Sequence, residues 1–267
     1  MDIMRGEKMN GRTNGTLSPV VSVIMPAYNA ARYIEESICS VIAQTFTDWE
    51  LIVVDDCSQD ETCEIVERLA QKDSRIRLFQ NEKNSGAAAT RNRGFYLCSG
   101  KYVALLDSDD LWHPEKLERQ IDLAEQTGAE VIYCSYGIID DHGNKICDDF
   151  IVPEKTDLES SLTRMVISCS TALLSDRIVR KYQFDPSYYH EDLAFWFQLL
   201  MDGNQARGVP EVLAEYRVMA GTRASNKIKN ARFRWRVYRD FLGLSPFKSA
   251  RLLIKYAVLG IKKYRKR

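Results

Sequence analysis

Three carboxylates fall within four residues in LDSDDLW, at Asp107, Asp109 and Asp110. They follow YVALL, an apolar run with the make-up of a buried strand. Like charges this close raise one another's pKa unless a cation sits among them. Mg2+ and Mn2+ prefer oxygen ligands, usually one or two carboxylates completed by substrate phosphates. A rigid strand end with this set suits a metal held against a diphosphate, with a carboxylate to spare for a ribose hydroxyl. The competing reading is local: Asp109 or Asp110 caps the helix that begins near Pro114. A second pair, Glu191 and Asp192, opens the apolar helix of YYHEDLAFWFQLL. It suits the helix dipole, or a general base within reach of a substrate hydroxyl. Other apolar runs also end in polar residues: Tyr28 and Asn29 after VVSVIMPA, Asp55 and Asp56 after WELIVV.

The elements that must position these groups alternate. VVSVIMPAY (20–28), WELIVVDD (49–56), RIRLFQ (75–80) and KYVALLDSDD (101–110) read as strands. Between them, ARYIEESICSVIAQT, DETCEIVERLAQK (60–72) and GAAATRNRGFYLCS (86–99) read as helices, the first with Ile34, Ile38, Val41 and Ile42 on its apolar side. HPEKLERQIDLAEQTG (113–128) has Pro near its start and Gly at its end, the punctuation of a helix. The pattern predicts an α/β, Rossmann-like, mostly parallel sheet flanked by helices. Such sheets bind ligands outside the carboxyl ends of their strands, where Tyr28, Asp55, Asp56 and Asp107–Asp110 fall. Beyond residue 129, AEVIYCSYGIID and VISCSTALLS read as strands, with DDHGNK a turn that folds ICDDFIV back onto the first. The helix 191–203 is apolar nearly all round and is expected to be buried.

Composition bounds the function. The seven cysteines are scattered, without a Cys-x-x-Cys, and there are three histidines, so a zinc site is not expected. The thiols read as reduced and the setting as cytoplasmic. The polar start lacks the apolar core of a secretory leader, and no apolar run is long enough to span a bilayer. The net charge is zero, with 37 Lys+Arg against 37 Asp+Glu. It is nevertheless segregated: from Arg217 to the end stand 16 Lys and Arg and one acid, Asp240. Such a segment is expected to face an anionic partner.

Five blocks carry a resemblance: VSVIMPAYNAARYIEESICSVIAQTF, ELIVVDDCSQDET, NSGAAATRNRG, YVALLDSDD and HEDLAFWFQLL. In this order and spacing the chain resembles the family 2 glycosyltransferases of GT-A fold. The resemblance implies an inverting, metal-dependent transfer from a nucleotide sugar, a UDP-sugar first, to a glycan acceptor for a bacterial surface polysaccharide. It implies that Pro26, Tyr28 and Asn29 pack on the nucleotide base and that Asp56 accepts the uracil N–H. Arg91 would lie near the base or phosphates and Asp109 at the ribose. Asp110, with Asp109, would ligate Mn2+ or Mg2+, and Asp107 would support both. Asp192 is the expected base, with Glu191 the alternative. Relatives often read Tyr-Arg-x-His after the last core strand, whereas this chain has Met219 in that place. A thioether is a poor ligand for a hard cation, so either Arg217, Arg223 or Lys227 is expected at the phosphates or water is expected to complete the metal shell.

These readings divide the chain into a mobile tail (1–18), a nucleotide-sugar-binding half (19–128), an acceptor-binding half (129–217) and a basic amphipathic helical C-terminal segment (218–267). No nucleic-acid module accompanies that segment. It is expected either to pack as solvated helices or to lie on the anionic inner face of the cell membrane, near a polyprenyl-linked acceptor. The rival reading of the whole is a non-catalytic nucleotide-binding regulatory module.

Overall fold

The computed structural model describes residues 18–218 and 227–264, with backbone alone for 227–229 and 259–264. The expected tail, apart from residue 18, and Met219 and Arg223 lie outside the described residues. Four parallel strands form one half of the sheet: β1 (Val21–Ala27), β2 (Trp49–Asp55), β3 (Ile76–Gln80) and β4 (Tyr102–Leu105). Their continuous apolar runs are explained by cover on both faces. Along β1, Val21, Val23 and Met25 point into one core and Ile24 into the other, the period-2 alternation of a strand.

Against the first face pack α1 (Ile34–Ile42), α2 (Thr62–Ala70) and α4 (Lys116–Thr127). They contribute Ile34, Ile38 and Val41, Val66 and Leu69, and Leu117 and Ile121. Ile42, expected on that apolar side, sits at the helix end and is exposed. Gly128 closes α4 at φ 66°, its N–H on the Ala124 carbonyl, the left-handed C-cap that Gly adopts at no steric cost. Against the second face pack α3 (Gly86–Leu97) and α7 (Glu191–Met201), with Phe95, Phe195, Trp196 and Leu199. Gly94 lets α3 approach β1 closely: a Cβ there would stand 2.3 Å from the Ile24 side chain.

The second half of the sheet is mixed. β8 (Leu173–Ser175) runs antiparallel between β4 and β6 (Val131–Ile139), and β9 (Ala206–Arg217) runs parallel to β6 across a bulge at Ser135. The short β5 (Leu111–Trp112) and β7 (Lys155–Thr156) flank β9, giving the order β3-β2-β1-β4-β8-β6-β9-β5 with β7 on β9. The long ladders are thus parallel, as expected, and the short additions antiparallel. The turn over DDHGNK forms, and Phe150 pairs back with Tyr136. VISCSTALLS gives only the three residues of β8, preceded by a 3-10 turn at Cys169–Thr171. Ser168 and Thr171 exchange side-chain and backbone hydrogen bonds there, and such local bonds compete with a strand ladder.

The remaining helices are α5 (Leu158–Thr163), α6 (Asp176–Lys181), α8 (Lys227–Arg236) and α9 (Pro246–Tyr264), with a π-helical turn at Val237–Phe241. Val237, Tyr238 and Leu252 pack with Leu162, Leu193 and Phe197 in a third core. The C-terminal segment is therefore docked on α5 and α7 rather than hung beside them.

Candidate active site

β1 is flanked by β2 on one side and β4 on the other, so the strand order reverses there. The crevice beyond that point is where such sheets take ligands. Three loops meet in it. After β1, Asn29 adopts φ 47°; its N–H donates to Ser58 Oγ and its Oδ1 accepts from the Gln59 N–H. Tyr28 beside it is 51% exposed, and Pro26 sits within the ladder opposite Val54. After β2 the two aspartates divide their work. Asp55 accepts from the Ser58 N–H and hydroxyl, so it closes a turn. Asp56 accepts from Asn81 Nδ2 at 2.7 Å and from the N–H groups of Ser85 and Gly86 at 2.8 and 2.7 Å. Of its roughly four lone-pair positions one remains.

After β4, the Asp110 N–H closes a turn on the Asp107 carbonyl at 3.2 Å. Asp110, the expected metal ligand, is 1% exposed. Its two oxygens accept from the Ser170 hydroxyl and, at 2.8 Å, from the Arg217 N–H. Burial pushes its carboxyl well above the usual range, and Asp109 and Asp107 add to this. Asp109 is pushed up to about 6, first by burial and then by Asp107. Ser170 also accepts from the Asp107 N–H at 3.1 Å, so one hydroxyl clasps both ends of the turn. Ser170 was not among the residues expected here. The one signal for it is the Ser/Thr-rich SCST, which favours a side-chain-closed turn.

Arg217 holds the same turn from β9. Its Nε donates to the Asp109 carbonyl at 2.8 Å, a terminal nitrogen pairs with Glu36 at 2.7 Å, and the guanidinium lies over Tyr33. The residue that was a candidate for the phosphates thus braces the aspartate turn. Arg223 lies outside the described residues, as does the side chain of Lys227.

Arg91, on α3, joins the two carboxylate clusters. Its guanidinium reaches Asp107 Oδ1 at 2.6 Å and Glu191 Oε1 at 3.1 Å, and its Nε has no hydrogen-bond partner among the described residues. It is buried. Glu191, at the start of α7, is thereby tied to the aspartate turn. Asp192 forms no ion pair among the described residues. Among those residues its Oδ1 accepts only the Leu193 N–H, at 2.8 Å, and the side chain is half-buried. A carboxylate with spare lone pairs thus stands one residue from a buried ion pair that leads to Asp107.

The donor set fits a hard divalent cation. Asp107 and Asp109 present oxygens in a place where Asp107 already disfavours the charge on Asp109, which an ion would relieve. Among the described residues no group of three or more His, Cys, Asp or Glu could hold a metal by itself. The rest of the shell would come from water and substrate phosphate, as Mg2+ commonly takes it.

Comparison with known proteins gives the family and the fold. The family model of glycosyl transferase family 2 matches residues 22–182. The putative teichuronic acid biosynthesis glycosyltransferase TuaG of Bacillus subtilis (strain 168) is 38% identical over 246 residues, covering 92% of this chain and 97% of its own. The UDP-Glc:alpha-D-GlcNAc-diphosphoundecaprenol beta-1,3-glucosyltransferase WfgD of Escherichia coli is 38% identical over 246 residues, covering 92% and 95%. Among solved structures, residues 1–349 of S. aureus TarS in complex with UDP-GlcNAc match with a TM-score of 0.72 at 22% identity, over 89% of this chain and 71% of that one. The mannosyltransferase PcManGT of Pyrobaculum calidifontis, in complex with GDP-Man and Mn2+, gives 0.68 at 21%, over 91% and 70%. At these identities the structural likeness is one of fold.

Proposed function

Since the chain belongs to the family 2 glycosyltransferases and has their GT-A fold, we propose that it transfers a sugar from a UDP-sugar to a lipid-linked glycan acceptor with inversion, in the assembly of a bacterial surface polysaccharide. Membership of an enzyme family sets aside the rival reading of a non-catalytic regulatory module. The observation that carries the reading is the Arg91 bridge: it joins the aspartate turn to Glu191 and so brings Asp192 to the same crevice.

In this reading the base lies at the ends of β1 and β2, with the Tyr28 ring against it, Asn29 and Pro26 shaping the loop, and the last lone pair of Asp56 on the uracil N–H. Asp109 and Asp107 would hold the ion, Mn2+ or Mg2+, together with Asp110, and it would supply charge to neutralise the leaving diphosphate. Asp110 braces the turn, holding Ser170 and the Arg217 N–H, and keeps about two lone-pair positions for the same ion. Asp192 accepts the hydrogen bond of the acceptor hydroxyl. As that oxygen bonds to the anomeric carbon, its proton passes to Asp192, and the bond from the carbon to the diphosphate oxygen breaks on the opposite face. Glu191, held by Arg91, orients the start of α7. The relative WfgD is named for an acceptor on diphosphoundecaprenol, which supports an acceptor of that class here.

A peripheral membrane site fits the same acceptor. Phe247, Ile254 and Val258 form an exposed apolar stripe on α9, with Lys248, Arg251 and Lys255 exposed beside it. That is the pattern of a helix lying at an anionic interface. No helix among the described residues is long and apolar enough to cross a membrane.

The test is incubation with UDP- and GDP-sugars and α-D-GlcNAc-diphosphate on a short alkyl chain, the product anomer being read by NMR. Asp192→Asn is expected to abolish transfer while nucleotide-sugar binding stays within a few-fold. Retained transfer in Asp192→Asn, or a product with retained anomeric configuration, sinks the mechanism.

A further inference from the structure

Ser170 stands at the aspartate turn because of how β8 joins the sheet. β8 runs antiparallel to β4 with Leu173 opposite Ala104, and the Ala172 carbonyl accepts the Leu105 N–H at 3.2 Å. The residues ahead of β8 therefore lie beside those that follow β4. Ser170 is 2% exposed, and its hydroxyl has two partners of opposite kind. A carboxylate can only accept, and a backbone N–H can only donate. So the O–H goes to Asp110 Oδ2, and a lone pair takes the Asp107 N–H at 3.1 Å. Ser170 is itself held. Its carbonyl accepts from Trp112 Nε1 at 2.7 Å, and the Thr171 carbonyl beside it accepts from Gln120 Nε2 at 2.8 Å. Trp112, Gln120 and Thr171 are all buried, so the hydroxyl sits on a support closed to water.

We propose that Ser170 is the positioning residue of the metal-binding turn. Its hydroxyl fixes the direction of the Asp110 carboxylate and its spacing from the Asp107 backbone, so that the turn meets a divalent cation already shaped. The Arg217 N–H takes the other Asp110 oxygen, and without Ser170 the carboxylate is free to turn about that one bond. Ser170 acts through the two aspartates and not on the substrate. Removing a group that orients metal ligands from behind commonly costs about 10- to 100-fold in metal affinity or activity. The inference rests on the reading of the aspartate turn as the site of Mn2+ or Mg2+.

Mn2+ binding to the whole protein tests it, read from the EPR signal of the free ion at a fixed concentration of UDP with a protein-free blank subtracted. Ser170→Ala is expected to raise the Mn2+ Kd about tenfold or more, and the Mn2+ needed for half-maximal transfer in proportion. Ser170→Thr keeps the hydroxyl and is expected to bind Mn2+ nearly as the wild type does. UDP binding in EDTA, which reads the base pocket without the ion, stays near the wild-type value in both. An unchanged Mn2+ Kd in Ser170→Ala overturns the proposal whatever happens to its urea midpoint, because a merely structural role lowers the midpoint and leaves the affinity alone. Weakened UDP binding in EDTA overturns it as well, since the disturbance is then general. So does Ser170→Thr binding Mn2+ as weakly as Ser170→Ala at the wild-type urea midpoint, since the hydroxyl is then not the cause. Ser170→Cys has a similar volume and only a weak donor, and it carries the same comparison if Ser170→Ala does not fold. Failure of the underlying reading looks different: the wild-type protein takes up no Mn2+ beyond the blank.

Discussion

Replacing Arg91 by methionine keeps most of its packing volume and removes the guanidinium that spans Asp107 and Glu191. The arginine side chain is 7% exposed and that of Glu191 10%, whereas Asp107 is 29% exposed. Water can therefore re-solvate Asp107 in the variant but not Glu191. Truncating one partner of a buried pair costs about 3–5 kcal/mol, because the other charge is left uncompensated. With one of the two carboxylates partly wet, the lower end of about 3 kcal/mol is expected, a large share of the 5–15 kcal/mol typical of a whole domain. Urea unfolding reads this as a fall in midpoint at unchanged slope. Adding Glu191→Gln to Arg91→Met removes the stranded charge and is expected to restore about 1 kcal/mol or more, which a double-mutant cycle measures. Arg91→Lys keeps the charge but cannot fork to both carboxylates, so its turnover number is expected to fall more than tenfold with a smaller loss of stability. A cost below about 1 kcal/mol for Arg91→Met, or no recovery in the double variant, would refute the idea that this pair joins the two halves of the site.

Asp109→Asn is expected to lower metal-supported turnover on the order of 10²–10³-fold, as for loss of one major electrostatic stabiliser, at near wild-type stability. Asp110→Asn turns an amide N–H toward Ser170 or the Arg217 N–H and is expected to cost about 1–3 kcal/mol of stability; the reverse pattern in metal-titrated kinetics and urea unfolding would reassign the two. Lys116 is wholly buried, over Trp112 and against Gln120, and burial lowers it from 10.5 to about 8. Between those values the unfolded chain binds more protons than the folded one, so wild-type stability should rise with pH from about 8 to 10.5. Lys116→Met should be more stable at pH 7 and should lack that rise in urea titrations at pH 7, 9 and 10; an equal rise in both proteins would rule out Lys116 as its source. Phe247→Ser with Ile254→Ser is expected to cut sedimentation with anionic vesicles several-fold while leaving transfer to the alkyl probe unchanged, and undiminished sedimentation would count against α9 as the docking face.

The parallel half of the fold was legible because burial on both faces demands uninterrupted apolar runs, and the polar residues that end those runs are then conspicuous. Tyr28 and Asn29, Asp55 and Asp56, and Asp107, Asp109 and Asp110 are singled out this way, and the structure places them where β1, β2 and β4 end. The residues that hold them were not found, for a physical reason. Ser170 acts through bonds to residues about 60 positions away, and nothing local marks such a partner. Its turn exists because Ser168 and Thr171 satisfy each other, while the flanking Val, Ile and Leu speak for a strand, so the apolar count misled. Asp110 illustrates the converse. Its type and spacing are those of a ligand, and a donor from β9 and another from the 3-10 turn also converge on it, one on each oxygen, which the sequence does not show. Arg217 carries the same lesson, since a cation near phosphate-binding motifs invites a phosphate role until Glu36, Tyr33 and the Asp109 carbonyl are seen around it. The charge segregation of the C-terminus was plain in the sequence, but Tyr238 and Leu252, which dock that segment, sit among cations and show no clean stripe. Residue type reveals which groups can do chemistry; how they are held depends on long-range partners, and for Asp109 and Asp110, side by side in the chain, those partners differ: Asp110 accepts from Ser170 and the Arg217 N–H, while the Asp109 carbonyl accepts from Arg217 Nε.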